Sequence, residues 1–200
     1  MAAARKLTPV DGLRPRTYSV LIGLLASTGL RTCEALRLGR TEFDSTNRQL
    51  VIKETKFHKS RVVPVDLSVA RALLEYSCFR DHYWSAPHSE RFLLSEQGRA
   101  LLPSVVHYTF RKLRSETQIK GQYDRRAPRL YDLRHTFACR VLQKWYTEGV
   151  DVNQRLPYLS TYLGHIKPTD TYWYLSAVPE LMNVAMQRFE ETDVIQGGTP

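Results

Sequence analysis

The segment LYDLRHTFACR, Leu130 to Arg140, gathers three reactive side-chain types within one helical turn. Tyr131 and Arg134 are three residues apart, so a helix would hold them over one face, with His135 beside them. A guanidinium binds phosphate or carboxylate oxygens through forked hydrogen bonds. A phenol, with an ordinary pKa near ~10, can donate a hydrogen bond to such an oxygen but is a feeble base at neutral pH. The segment could therefore stabilise a negatively charged group.

A second arginine occurs in TGLRTCEAL, where Arg31 follows a helix break near Gly29 and precedes Glu34 by three residues. Arg31 could hold an anion in the same way as Arg134. It could also form an ordinary helix-surface salt bridge with Glu34 at i,i+3. We assign Glu34 the role of orienting Arg31, with a plain surface carboxylate as the alternative.

The segment LGHIKPTDTYWYL combines His165 with three adjacent aromatic residues, Tyr172, Trp173 and Tyr174. An imidazole can donate a hydrogen bond to an anion, and a tyrosine oxygen can act as a covalent nucleophile. Three consecutive aromatic residues also suggest packing, so at least one of them should belong to the core. Tyr172 and Tyr174 are the competing nucleophiles.

A lysine-rich hairpin supplies a further cation. In RQLVIKETKFHKSRVVPV, two β-branched runs flank a polar stretch from Thr55 to Ser60, which predicts two strands and a turn. An ammonium desolvated beside a phosphate can have its pKa lowered enough to act as a general acid. Lys53, Lys56 and Lys59 all lie in this hairpin, and basic hairpin tips are usually solvated, so chemistry alone does not select one of the three.

The elements that must position these residues are mostly helices. Apolar residues on all faces predict a buried helix over 16–26. Asp66 is the predicted N-cap of the amphipathic VARALLEY helix, and a loop-rich region from Cys78 to Arg91 is expected after it. The remaining predicted helices cover 32–38, a segment capped by Ser104, 130 to about 147, 156–163, 169–175 and the amphipathic PELMNVAMQRFEE. We expect an α+β fold, mainly helical, with a small antiparallel sheet near residues 49–65.

Composition limits the class of protein. A chain of 200 residues with 42% apolar content fits one domain, and 29 basic against 20 acidic side chains give a net charge of +9. That charge favours a polyanionic partner, although a basic but otherwise ordinary enzyme also fits. Three cysteines without metal-ligand spacing, and an N-terminus without a signal-peptide core, favour the cytoplasm; the longest apolar stretch is too short to cross a membrane.

Taken together and in this order, the four segments resemble the catalytic domain of the tyrosine recombinases, the phage integrase family. The resemblance runs from about Arg16 to Leu175 and lies in the combination of TGLRxxE, a lysine hairpin ending in RVVPV, LRHTFA, and LGH followed nine residues later by a tyrosine. It implies site-specific DNA strand breakage and rejoining through a 3′-phosphotyrosyl intermediate, with no cofactor, metal ion or ATP. It also implies the fold of that catalytic domain and a bacterial, archaeal or phage-encoded, nucleoid-associated protein.

The resemblance assigns roles to individual residues. Arg31 and Arg134 match the paired arginines that hold the phosphate, and Lys56 matches the general acid for the departing 5′ oxygen. His165 matches the position that hydrogen-bonds the phosphate, and Tyr174 matches the nucleophile.

One position departs from the pattern. The family box is usually His-x-x-Arg, and Tyr131 stands where the first histidine is expected. Either proton abstraction is less important here, or His135 or a water molecule provides it. For His135 we also weigh a partly buried imidazole that bonds to a backbone carbonyl.

Partners follow from the same resemblance. Double-stranded DNA is the expected substrate, and the expected assembly is a homotetramer on DNA formed through residues 178–192. That segment could dock onto a neighbouring protomer or pack on its own domain. Because the pattern begins within the first thirty residues, we expect residues 1–200 to form a single catalytic domain without the N-terminal DNA-clamping domain common in the family. The alternatives are a catalytically weak DNA-binding regulator and type IB topoisomerase-like relaxation.

Overall fold

The first helix, α1, spans Leu13–Thr28 in the computed structural model, which describes residues 2–53, 60–119, 127–165, 167 and 169–176. Only Arg16 on this helix is exposed, which confirms the predicted buried helix. The helix ends at Gly29, whose backbone is left-handed with a φ of 62°. Glycine adopts this conformation without a Cβ penalty. The chain then turns sharply into α2, Thr32–Arg37.

A small antiparallel sheet follows α2, as predicted. It contains β1, Phe43–Asp44, β2, Gln49–Ile52, and β3, Arg61–Pro64, in the order β1-β2-β3. Leu50 pairs with Val63, and both side chains are completely buried. The two-residue strand β1 was not predicted, because a strand that short has no measurable alternation.

The helix after the sheet, α3, spans Leu67–Tyr83 and packs against α1. The predicted loop from Cys78 is therefore wrong in its first six residues. Arg80 is only 2% exposed and donates from Nη1 to the Phe92 carbonyl at 2.8 Å, so a tertiary contact extends the helix past its apolar pattern. Asp66 occupies the cap position, but its side chain makes no capping hydrogen bond.

The next helix, α4, spans Pro103–Glu116. The predicted cap at Ser104 is wrong, since the helix begins at Pro103 after Leu102. Proline suits a first helical position because its fixed φ matches the helix and its missing N–H is not needed there. Helix α5, Leu130–Thr147, has the predicted bounds.

The chain divides into two compact units, Met1–Arg134 and His135–Pro200. The boundary falls inside α5. The second unit also contains α6, Val152–Leu163, and α7, Thr169–Ser176. Helix α6 begins four residues earlier than predicted because the Asp151 carboxylate accepts hydrogen bonds from the backbone N–H groups of Asn153 and Gln154.

The apolar core of the second unit is built from α5, α6 and α7. Its buried members are Ala138, Leu142, Val152, Leu156, Leu159, Leu163 and Tyr174. Among the described residues, no helix combines the length and the apolar character that crossing a membrane requires. The predicted segment 178–192 lies outside the described residues.

Candidate active site

Arg134 has the lowest exposed fraction of the predicted site residues that the structure describes. Its side chain lies on α5 in the first unit, is only 2% exposed, and donates from Nη1 to the Gly29 carbonyl at 2.8 Å. The left-handed turn at Gly29 presents that carbonyl at the end of α1, two residues before Arg31. The fold therefore brings Arg134 to the turn that carries Arg31, although the two lie about a hundred residues apart in sequence.

Arg31 lies at the start of α2 and is held by Glu34. The Arg31 backbone N–H donates to Glu34 Oε2 at 2.9 Å, and Arg31 Nη1 donates to Glu34 Oε1 at 2.9 Å. The i,i+3 salt bridge considered from sequence is therefore present. It does not exclude anion binding, because the Arg31 side chain remains 30% exposed.

A third cation, Arg61 at the start of β3, completes this cluster and was not singled out from the sequence. Arg61 Nη1 donates to Glu34 Oε1 at 2.9 Å and Nη2 donates to Oε2 at 2.8 Å, which is the bidentate fork geometry. In the sequence, RVVPV predicted a strand and formed part of the family pattern, but neither use gave Arg61 a role. The partner of Arg61 lies 27 residues earlier, so only the placement of β3 beside α2 reveals the pair.

The two guanidiniums determine the ionisation of Glu34. Burial raises the pKa of this carboxyl, but the hydrogen bonds and charge of Arg61, together with those of Arg31, outweigh it and hold the pKa below its usual value. The side chain is 6% exposed, so the buried carboxylate is stabilised as an anion by its two partners.

The predicted general acid is outside the described residues. Lys56 and its competitor Lys59 both fall in the 54–59 gap. The other competitor, Lys53, pairs with Glu42 at 3.4 Å from an exposed position.

In the second unit, His165 is fixed by a neighbour on α7. Its Nδ1 lies 2.7 Å from the Thr171 hydroxyl, and Thr171 is completely buried. His165 directly follows Gly164, the left-handed residue that ends α6. The hydrogen bond at Nδ1 holds the imidazole ring against the start of α7.

Tyr174 lies against this histidine but inside the apolar core. The rings of His165 and Tyr174 are stacked with centroids 6.1 Å apart and planes 11° apart. Tyr174 is 3% exposed, whereas Tyr172 is 46% and Trp173 is 59% exposed. Of the three adjacent aromatic residues, Tyr174 is therefore the one that is buried in the core.

His135 contributes to the same cluster of rings. Its ring centroid is 5.2 Å from that of Tyr174 and 5.1 Å from that of Trp173, and its Nε2 is 3.7 Å from the Cys139 sulfur. Tyr131, in the first unit, differs from Arg134 on the same helix, because it is 56% exposed. The phenol and the guanidinium that the sequence placed over one face thus differ sharply in burial.

Comparison with known proteins agrees with the fold. Residues 3–180 match the Phage integrase family. The chain is 42% identical over 179 residues to a Sinorhizobium fredii protein designated integrase/recombinase y4rB. The matched region covers 89% of this chain and 57% of y4rB. The chain thus spans little more than half the length of this relative.

Two solved structures share the fold at 20% sequence identity. The XerA recombinase has a TM-score of 0.70 over 87% of this chain and 57% of its own. The XerH site-specific recombinase, in a post-cleavage complex with a palindromic difH substrate, also has a TM-score of 0.70, over 94% of this chain and 50% of its own. This fold and the family match over residues 3–180 lead to one conclusion: the chain belongs to the phage integrase family.

Proposed function

We propose that the chain breaks and rejoins DNA strands at specific sites through a covalent 3′-phosphotyrosyl intermediate. The observation that carries the proposal is the arginine arrangement of the first unit. Arg134 is buried against the Gly29 carbonyl, and Arg31, two residues further on, is held by Glu34 at the surface. The family match and the DNA substrate of the similar XerH structure support the same activity.

In the proposed reaction, the Tyr174 oxygen attacks the scissile phosphorus. A bond forms between this oxygen and phosphorus while the bond from phosphorus to the 5′ oxygen breaks. Lys56 gives a proton to the departing 5′ oxygen, which leaves as a hydroxyl. Attack by a 5′ hydroxyl on the phosphotyrosine reverses these steps, so the bond energy is retained and rejoining needs no ATP.

The arginines would act on the charge that develops in this reaction. The non-bridging oxygens become more negative in the transition state, and pre-organised donors aimed at such oxygens typically contribute about 10²- to 10³-fold each. Arg31 and Arg134 would supply these donors, with Glu34 orienting Arg31. Because guanidiniums supply the positive charge, the proposed mechanism includes no metal ion.

Two further residues would complete phosphate recognition. His165, whose ring is held at Nδ1 by the Thr171 hydroxyl, would donate a hydrogen bond to a phosphate oxygen. Tyr131, which is exposed at the start of α5, would donate a hydrogen bond from its phenol hydroxyl to a phosphate oxygen. A phenol does not replace a histidine as a base at neutral pH, so a water molecule or His135 would take the proton of the nucleophile.

The burial of Tyr174 has a consequence for this scheme. A side chain that is 3% exposed has to become accessible before its oxygen can reach DNA. We propose that DNA binding shifts α7 enough to expose it. Tyr172 is exposed without any such shift and remains the competing nucleophile. The same burial favours a second candidate function, a DNA-binding regulator with weak cleavage.

The proposed partner is double-stranded DNA, contacted largely through phosphates. Binding should then weaken steeply with salt, because each neutralised phosphate releases counterions. The proposed assembly is a homotetramer on DNA formed through residues 178–192.

The test uses nicked, end-labelled duplex DNA that carries the candidate crossover site. After incubation and denaturation in SDS, label attached to protein measures the covalent intermediate. We expect adduct with the wild type and with Tyr172→Phe, and none with Tyr174→Phe. Tyr158→Phe is the matched control, since Tyr158 is 72% exposed on α6.

Other outcomes assign the reaction differently. Adduct lost only in Tyr172→Phe would move the nucleophile to Tyr172. No adduct with any form, on DNA shown to bind, would support the regulator.

A further inference from the structure

We infer that Arg61 is a positioning residue that shares the Glu34 carboxylate with Arg31, which leaves these three side chains with a net positive charge and holds Arg31 in the orientation for a phosphate. The inference rests on the proposed function and deepens it. Arg61 would act through Glu34 and Arg31, without touching DNA itself.

The hydrogen bonds around Glu34 are saturated by two partners. Oε1 accepts from Arg31 Nη1 and Arg61 Nη1, and Oε2 accepts from the Arg31 backbone N–H and Arg61 Nη2. A carboxylate offers about four acceptor sites in its plane, and all of them are used here. The carboxylate therefore has one orientation, and so does the Arg31 group bonded to it.

Burial distinguishes the two arginines. The Arg61 side chain is 12% exposed and Glu34 is 6% exposed, whereas Arg31 is 30% exposed. Of these three side chains, Arg31 is the one with the greatest access to an incoming phosphate. Arg61 is the first residue of β3, and its bonds to Glu34 connect the sheet to α2.

Charge gives Arg61 a function that packing alone would not. Arg31 and Glu34 alone would form a neutral pair with little attraction for a phosphate. Two guanidiniums against one carboxylate leave one net positive charge, and the exposed member of the cluster can direct it at an anion. Removal of Arg61 should therefore weaken phosphate recognition by Arg31, although Arg61 itself makes no contact with DNA in this proposal.

The experiment measures single-turnover adduct formation at saturating protein for wild type, Arg61→Met, and Arg61→Met combined with Glu34→Gln. We expect Arg61→Met to slow the reaction about 100-fold, as small misplacements of catalytic groups do. Removing the Glu34 carboxylate as well restores the net charge. The double variant should therefore react about tenfold faster than Arg61→Met, a coupling typical of contacting residues.

A structural role predicts a different pattern. Loss of packing alone would make the double variant no faster than Arg61→Met, and that result would overturn the inference. An Arg61→Met rate within about twofold of wild type would overturn it as well, since a positioned catalytic arginine is worth far more. Arg40→Met is the control, because Arg40 forms an exposed ion pair with Asp81 in the same unit.

Arg61→Lys covers the case in which Arg61→Met does not fold. Lysine keeps the charge and loses the fork, so its rate should lie between those of wild type and a variant without charge, Arg61→Gln. Equal rates for folded Arg61→Lys and Arg61→Gln would contradict the importance of the charge.

A readout without cleavage separates this inference from the proposed function. Inorganic phosphate is titrated into ¹⁵N-labelled protein while the Arg31 side-chain N–H signals are followed. We expect phosphate to shift these signals in wild type and to shift them much less in Arg61→Met or, if that variant does not fold, in Arg61→Gln. Equal shifts in wild type and variant, or none in wild type, would contradict the role of Arg61 even if no adduct ever forms.

Discussion

The arginine cluster of the first unit and the histidine–tyrosine cluster of the second are held by different forces. Glu34 accepts charged hydrogen bonds from Arg31 and Arg61, so that cluster is fixed by buried, directional ionic contacts. Around Tyr174, ring packing and the hydrogen bond between His165 and Thr171 contribute to the geometry. Ionic forks have one good geometry, whereas apolar packing is non-directional. The proposed phosphate-binding residues are therefore held by directional contacts, and the proposed nucleophile is held mainly by packing in an apolar core.

The largest effect should come from the buried guanidinium. Arg134→Lys removes the fork while it keeps the charge, and we expect adduct formation to fall about 1000-fold, the upper range for one lost transition-state donor. The measurement is the single-turnover adduct rate at saturating protein. Folding is checked through Trp84, the only tryptophan of residues 1–134, in a background with Trp145 and Trp173 replaced by Phe. If the folded variant reacts at nearly the wild-type rate, Arg134 does not bind the scissile phosphate.

The second effect is on stability. Glu34→Gln leaves two guanidiniums beside a neutral amide, and we expect the first unit to lose about 3 kcal/mol of unfolding free energy, the lower range for a broken buried ion pair. Urea unfolding at neutral pH, followed by Trp84 fluorescence, measures this loss. Arg40→Met, in contrast, should cost less than about 0.5 kcal/mol because its ion pair is exposed.

The same carboxylate predicts a dependence on pH. The folded pKa of Glu34 lies below its ordinary value of 4.5, so its stabilisation is complete above that value and is lost as the pH falls through the folded pKa. In Glu34→Gln the acid limb of the stability curve should be flatter. Parallel curves for wild type and variant below pH 4.5 would mean that Glu34 is protonated in the folded state.

The smallest effect tests the histidine–tyrosine cluster. Thr171→Val removes the hydroxyl that holds His165 Nδ1 and keeps the side-chain shape, so we expect about a tenfold slower adduct rate, the cost of one neutral hydrogen bond. Thr171→Ser retains the hydroxyl and should stay near wild type. If both variants behave alike, packing alone positions the imidazole.

The same contrast explains which features were predictable from sequence. Helix α5 has its predicted bounds, and the predicted strands β2 and β3 pair, because local periodicity determines them. The roles that the family pattern assigns to individual residues stay predictions. Arg61 escaped notice because its partner is remote in sequence, and the burial of Tyr174 depends on packing between helices that no local pattern encodes.

The helix end at Gly29 makes the proposed site sensitive to a residue that carries no functional group. Its left-handed backbone both ends α1 and presents the carbonyl that accepts from Arg134. A residue with a β-carbon would strain this turn by roughly 1 kcal/mol and could move the acceptor. A substitution at position 29 would therefore disturb a contact with an arginine about a hundred residues away and should lower the proposed activity, although glycine itself has no reactive side chain.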